Sequence, residues 1–472
     1  MERIETDILV IGAGSAGLSV AAGASQMGAR VVLLEGGRMG GDCLNFGCVP
    51  SKALIAAAKT AHAQAHAARF GIAGVVPDVD YAAVMEHVAG VIARIAPVDS
   101  QERFEGLGVK VIRAHGRFVS PREVEAAGQR IAARRIVIAT GSSPLVPPIP
   151  GLETVPYLTN ETLFDLRERP DHLLIIGGGP IGMEMAQAHA RLGARVTVIE
   201  AARALARDDP DHAALVLDAL RGEGVEIAET TTASNVRGRA GAIEIVAEDG
   251  RVFAGSHLLV AAGRRANTDG LNLDAAGIET TKAGIRVDAR LRTSNRRVHA
   301  IGDVTGGLQF THVAGYQASV ILPALLFGLP SKARTGHLPW VTFTDPELAQ
   351  VGLTESQARD RHGARLQIAR FDYAENDRAV ASRETAGRIK VMVVRGRPVG
   401  VSIVGPQAGE AINLWALVLA QGLTMRQVAG MVAAYPTLGE INKRVAGAYF
   451  SPRLFDNPLI KRVVGMVQGW LP

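Results

Sequence analysis

Between residues 7 and 35 the spacing of apolar positions changes twice. DILVIGAG opens on a continuous apolar run, SAGLSVAAGASQMG spaces small and apolar residues as a helix does, and ARVVLLE returns to an apolar run ending in an acid. The pattern predicts strand, glycine turn, helix and second strand. It returns at 172 to 200, HLLIIGGGPIGMEMAQAHARLGARVTVIE. Three shorter strand-and-glycine exits are RIVIATGSSP (135 to 144), HLLVAAGRRANTDGL (257 to 271) and RRVHAIGDVTGG (296 to 307). Beyond about 336 the period shifts: 366 to 404 reads as alternating strands around the turn RGRP, and 408 to 421 as a helix. After Pro458 the apolar Leu459, Ile460, Val463, Val464, Met466, Val467, Trp470 and Leu471 share one side of a predicted helix. Lys461, Arg462, Gly465 and Gln468 take the other.

The 472 residues, 47% hydrophobic and 21% charged, are enough for two to four cores. The net charge of +5 is small for that length and its basic residues are scattered, which argues against a nucleic-acid partner. The opening MERIETDILVIGAG enters a strand without a charged-then-apolar leader, and the longest apolar runs, such as 411 to 423, are shorter than the ~20 residues of a spanning helix. The expected setting is cytoplasmic and reducing, where the only two cysteines, Cys43 and Cys48, are to be weighed as redox chemistry or metal binding.

The chemistry of the turns follows from their glycines. Gly12 permits a tight turn, Gly14 lets backbone approach a pyrophosphate, and Gly17 lets the helix pack on the strand, with Glu35 placed to accept from a ribose hydroxyl. Gly177, Gly179, Gly182 and Glu200 repeat the set, so two nucleotides are implied. Glu200 would repel a 2′-phosphate and no arginine occupies 201 or 202, which favours NADH over NADPH, although Arg203 and Arg207 lie close by.

These features together resemble the flavoprotein disulfide reductases, the group of dihydrolipoamide dehydrogenase, glutathione reductase and mercuric reductase. The resemblance runs from about residue 5 to about 450. It rests on GGDCLNFGCVPSKAL, both dinucleotide turns, ATG ending at Gly141, AAGRRANTDGL with Gly263, AIGD ending at Asp303, and TFTDPELAQVGLTE at 342 to 355. It implies an α/β fold of two Rossmann-like dinucleotide-binding domains, for FAD and NAD, and a C-terminal α+β dimerisation domain. The FAD domain would comprise residues 1 to 150 and 270 to 335, the NAD domain 151 to 269, the dimerisation domain 336 to 456, with an amphipathic extension at 457 to 472. It further implies a redox-active disulfide, Cys48 lying next to the flavin and Cys43 attacking substrate. The four-residue loop with Gly47 is compatible with that pairing, and a helix beginning around Pro50 would lower the Cys48 pKa. A metal site is the competing reading, and no further cysteine exists to complete a thiolate set. Lys52 and Glu184 would pair beneath the flavin, against the plainer reading of a solvated Lys and a surface Glu.

Two departures bear on the acceptor. The family's His-Pro-Thr-x-x-Glu stretch reads YPTLGE here, with Tyr435 in the position of the acid/base His and Glu440 in register. A phenol, with an ordinary pKa of about 10, takes up a thiol proton poorly at neutral pH. Mercuric reductases also carry an aromatic residue there, but their C-terminal cysteine pair is missing. The expected acceptor is therefore a small-molecule or protein disulfide, a quinone or a soft metal ion, with dihydrolipoamide dehydrogenase using Tyr435, or a tail-docked flavoprotein of low turnover, as the alternatives. A homodimer is implied, the YPTLGE region reaching the partner's disulfide. The tail reads first as packing on the protein's own dimer surface and second as a peripheral contact at the inner membrane face.

Overall fold

The strand Arg3–Ile11 runs through the middle of a seven-stranded sheet, and its residues from Ile8 onward are at most 3% exposed. A strand covered on both faces has no polar side to alternate with, which is why DILVI reads as an unbroken apolar run. It pairs in parallel with Val31–Leu34 on one side and Gln129–Ile138 on the other. The second half of Gln129–Ile138 also pairs in parallel with Val298–Ala300, so a strand some 160 residues later completes the first sheet. The strands Arg117–Ser120 and Glu123–Ala126 close the opposite edge antiparallel. Around the later repeat, Arg195–Ile199, His172–Ile176 and His257–Val260 form parallel neighbours. Truncating Leu9 or Leu174, both fully buried, to Ala is expected to cost about 2–5 kcal/mol.

These coordinates are a computed structural model that describes residues 2–471; Met1, and Pro472 at the end of the expected extension, lie outside the described residues. Two compact units emerge. One comprises Met1–Gly178, Ala188–Ala201 and Thr230–Arg334, and the other Gly179–Gln187, Ala202–Glu229 and Thr335–Pro472.

In the second unit a five-stranded antiparallel sheet runs in the order Pro339–Thr342, Glu347–Gly352, Arg397–Gly405, Arg388–Val394, Leu366–Asp372. The expected strands around RGRP and the helix Ala408–Gln421 are both present. Helices Ala408–Gln421 and Ile441–Phe455 cover one face, joined by the buried Trp415 indole donating to Asn442 at 2.7 Å. On the other face lies the helix Pro210–Gly222. There Lys390, 1% exposed, donates to Asp209 and Asp211 at 2.9 Å and pairs with Glu355 at 2.8 Å. A buried ammonium is tolerated because three carboxylates surround it; removing that cation would strand the fully buried Asp209, at a cost of about 3–5 kcal/mol.

Among the described residues Tyr81–Gly106 has the length and hydropathy of a candidate membrane span, which a search for unbroken apolar runs passes over. It is two helices of 15 and 6 residues, the second opened by the Ser100 hydroxyl accepting from the Arg103 amide, and neither has the ~20 residues a span needs. The tail forms the helix Pro458–Gln468, and all eight of its apolar residues named above are exposed.

Candidate active site

The two cysteines are placed by glycines. Gly40 and Gly41 both take positive φ, +85° and +60°, and a Cβ on Gly41 would lie 2.7 Å from the Cα of Gly14. The cysteine segment thus crosses the first dinucleotide turn backbone against backbone, tied by the Gly40 amide donating to Ala13 at 3.0 Å. The chain then forms a short helix, Gly41–Asn45, carrying Cys43, and a long one, Cys48–Ala65, that starts at Cys48 itself. Pro50 falls in its first turn, where a missing N–H costs nothing. No side chain caps this helix, so its N-terminal amides are left to stabilise negative charge at Cys48.

The two cysteines are unbridged neighbours, and each sulfur is the largest influence on the other's pKa. The Cys43 sulfur, followed by the Thr311 hydroxyl and the Lys52 ammonium, brings Cys48 down to about 6 from 9.0 against the opposing effect of burial. Thr311 Oγ1 lies 3.4 Å from the Cys48 sulfur. Cys43 is pushed strongly up, by the Cys48 sulfur first and burial second. The reduced pair therefore shares one proton, held on Cys43, with the charge on Cys48.

The first glycine turn approaches other backbone as closely as its glycines suggest: at Gly12, φ +105°, a Cβ would stand 2.4 Å from the Ala139 carbonyl, and at Gly17 1.8 Å from that of Gly12. Gly14 faces open space, its Cβ position having nothing nearer than Gly41 Cα at 3.9 Å, and the helix Ser15–Gln26 behind it has neither a capping side chain nor an acid in its first turn. An uncapped helix end that backbone alone approaches suits a pyrophosphate. Glu35 accepts from the Ala13 and Gly37 amides, both at 2.6 Å, so the acid is fixed by the turn it serves. The second turn repeats this: Gly177 has φ +115°, Glu200 accepts from the Gly178 amide at 2.6 Å, and a Cβ at Gly179 would meet nothing within 4 Å. Gly182 lies on the helix Pro180–Arg191, and Gly141 and Gly263 have φ of +70° and +139°. Asp303 follows Gly302 in a 3-10 turn, accepts from Ser142 Oγ at 2.6 Å, and is pushed up by burial.

Lys52 belongs to the first unit and Glu184 to the second. Glu184 is 5% exposed rather than a surface acid and accepts from the Phe343 amide at 2.9 Å, which ties its helix to the TFTDPE segment. Tyr435 is exposed, and its hydroxyl donates to Asp377 at 2.9 Å, which raises the phenol pKa above 10.0. Asp377 begins the helix Asp377–Ser382, and the preceding Asn376 caps it while donating to the Thr437 carbonyl at 3.1 Å. Sequence reasoning gave the register with Glu440 and missed Asp377, 58 residues away in the chain. It also passed over Asp42, although a charge beside a reactive cysteine is itself a signal. Among the described residues no three His, Cys, Asp or Glu side chains gather as a metal site.

Comparison with known proteins decides the family. Residues 6–318 match the family described as pyridine nucleotide-disulphide oxidoreductase, and residues 338–446 match its dimerisation domain. The chain belongs to this family. Mercuric reductase from Lysinibacillus sphaericus is 35% identical over 442 residues, covering 92% of this chain and 81% of that protein. Dihydrolipoyl dehydrogenase from Geobacillus stearothermophilus is 35% identical over 455 residues, covering 94% and 96%. Among solved structures, the Cu(II) complex of the HOCl-induced flavoprotein disulfide reductase RclA from Escherichia coli has a TM-score of 0.82 at 30% identity, covering 93% of this chain and 99% of that one. The oxidoreductase is thus an FAD-dependent enzyme of NAD(P)H-driven disulfide chemistry, and its dimerisation domain implies a homodimer.

Proposed function

We propose that this enzyme takes electrons from NADH and delivers them through Cys48 and Cys43 to a disulfide or another soft electrophile. The observation that carries this reading is the cysteine pair itself, with Cys48 at the start of an uncapped helix and the Thr311 hydroxyl 3.4 Å from its sulfur, and with the two thiol pKa values shifted in opposite directions. FAD, when bound, supplies the acceptance of a hydride and its return as an electron pair. Gly12, Gly14, Gly17, Glu35, Gly141 and Asp303 would hold it, and Gly177, Gly179, Gly182, Glu200 and Gly263 the nicotinamide nucleotide, with Lys52 and Glu184 near the flavin ring. The domain limits stay as read from the sequence.

The sulfur chemistry balances as follows. Two electrons and one proton open the Cys43–Cys48 disulfide to a Cys43 thiol and a Cys48 thiolate. Cys43 attacks an acceptor disulfide as its proton passes to the neighbouring Cys48 thiolate, and the first acceptor thiolate leaves; Cys48 gives that proton to the departed thiolate and then attacks the mixed disulfide, re-forming the Cys43–Cys48 bond and expelling the second thiolate. The Cys48 thiolate itself is the base for Cys43, so no external base is required, which agrees with Tyr435 where lipoamide chemistry would need a His. A soft metal ion is the second acceptor class, supported by the mercuric reductase and Cu(II)-complex relatives. NADH is preferred because the Glu200 carboxylate, oriented by the Gly178 amide, would repel a 2′-phosphate. We place the dimer in the cytoplasm, with the tail helix packing on the protein's own dimer surface, and peripheral contact at the inner membrane face as the second reading.

The test is anaerobic thiol counting on the FAD-loaded enzyme, with NADH and NADPH in parallel. NADH should expose both cysteines of each chain to alkylation, mapped by mass spectrometry, with NADPH slower. No nucleotide-dependent gain of thiols, or a gain that persists when Cys43 and Cys48 are both Ser, would overturn the reading.

A further inference from the structure

Asp42 sits directly before Cys43, and its side chain is held from two directions. The Arg264 guanidinium lies 3.1 Å from Asp42 Oδ1, and the Asn160 amide donates to the same oxygen at 3.0 Å. That amide also donates to the Phe46 carbonyl at 3.2 Å, so Asn160 reaches both ends of the short helix that carries Cys43. Arg264 is itself locked: its Nε donates to Ser142 Oγ at 2.7 Å, its Nη2 to the Ser142 carbonyl at 2.8 Å, and Asp303 is 3.9 Å away. Its side chain is only 12% exposed. A guanidinium with this many fixed partners does not swing freely, so it presents a fixed positive charge to Asp42.

We infer that Arg264 and Asn160 are positioning residues for the cysteine pair: together they neutralise Asp42 and clamp the helix Gly41–Asn45, holding the Cys43 thiol on the Cys48 sulfur. The inference rests on the proposed thiol chemistry and deepens it. The charged and titratable groups facing Cys48 are Cys43 and Asp42 from the short helix and Lys52 from its own helix, with the neutral Thr311 hydroxyl from Thr311–Phe327, beside His312. Asp42 raises both thiols. Unpaired, it would raise them further, because a like charge nearby disfavours a thiolate.

The experiment measures the iodoacetamide rate at Cys48 against pH, by mass spectrometry, on FAD-loaded enzyme reduced with dithiothreitol and desalted under argon. Wild type should show a profile centred well below the ordinary thiol value. Arg264→Gln should move it up by roughly half to one pH unit, a ~2–5-fold slower reaction at pH 6. Adding Asp42→Asn to Arg264→Gln should return it to the wild-type position, which a merely structural role for Arg264 would not do. Asn160→Ala, a milder change, should raise the Cys43-to-Cys48 labelling ratio at least twofold and serves if Arg264→Gln does not fold. An unmoved profile in Arg264→Gln, a double variant that stays shifted, or an unchanged labelling ratio in Asn160→Ala overturns the inference. A wild-type profile at the ordinary thiol value instead defeats the proposed thiol chemistry beneath it.

Discussion

Replacing Tyr435 by His tests the acceptor reading most directly. Oxidising a dithiol such as dihydrolipoamide requires removing its proton before a thiolate can attack the Cys43–Cys48 disulfide. The Tyr435 hydroxyl is committed to Asp377 at 2.9 Å, and that carboxylate raises its pKa above 10.0. At pH 7 the phenolate fraction is therefore below about 10⁻³, whereas an imidazole with its ordinary pKa of ~6.5 is mostly neutral and available as a base. The thousandfold deficit in available base falls inside the ~10²–10⁴ that general acid/base catalysis typically contributes. A His side chain is shorter than Tyr and loses the direct Asp377 contact, so the gain should lie at the lower end, roughly 10²-fold. The assay is dihydrolipoamide-dependent NAD reduction at pH 7 by the native enzyme, Tyr435→His and Tyr435→Phe, with NADH-dependent quinone reduction as the control. Native and Phe enzymes should be similarly slow with the dithiol, the His enzyme faster, and quinone reduction alike in all three. Native turnover within a few-fold of the His variant would refute the reasoning and make dihydrolipoamide dehydrogenase the better description.

Two further outcomes are expected. His299 is 4% exposed, its Nδ1 has no partner, and burial, then Arg135 and Arg292, hold it down at about 4 against 6.5. The unfolded chain takes up this proton first, so stability complete above pH 6.5 declines as pH falls towards 4, by about 2 kcal/mol at pH 5; the drop in urea midpoint from pH 7 to 5 should be smaller in His299→Gln, and an equal drop would count against it. On the membrane reading of the tail, full-length enzyme should sediment with vesicles containing anionic lipid in low salt and much less with neutral ones, and deleting 457 to 471 should abolish the difference. Equal sedimentation before and after deletion would exclude lipid attachment, and loss of the dimer on deletion would assign the helix to the subunit interface instead.

What could be read in advance depended on how far along the chain the causes lie. The first turn is local: Gly12, Gly14 and Gly17 meet their steric requirements within a few residues or against the adjacent strand exit at Ala139, and the glycine spacing shows it. The strands between 366 and 404 are legible for the same reason, since alternation and the RGRP turn lie within single hairpins, whereas Pro339–Thr342 and Glu347–Gly352 of the same sheet were not read as strands. Arg264, Asn160, Asp377 and the Lys390 cluster were not visible. Each is an ordinary polar residue whose role comes from a partner 58 to 222 residues away, as for Tyr435 with Asp377, Asn160 with Asp42, Lys390 with Asp209, and Arg264 with Asp42. No local pattern distinguishes such a residue from a solvated one. The cysteine helix, expected around Pro50 with Cys48 opening it, has Cys48 as its first residue and Pro50 in its first turn.

That start shapes how the cysteine pair works under the proposed function. Two thiols of the same chain begin chemically identical, so any difference between them must come from position. Cys48 at the first position of an uncapped helix, with Lys52 one turn on and Thr311 at 3.4 Å, is stabilised as an anion without any group having to move. Cys43, on the short helix beside Asp42, is disfavoured as an anion and keeps the proton. A sulfur that must wait as the reduced partner benefits from a low pKa, because a stable thiolate resists stray protonation. The sulfur that attacks has the higher intrinsic nucleophilicity of a high-pKa thiol, but only as its thiolate, so the Cys48 thiolate must take its proton as it attacks. The register of one helix therefore sets which sulfur of the pair carries the charge.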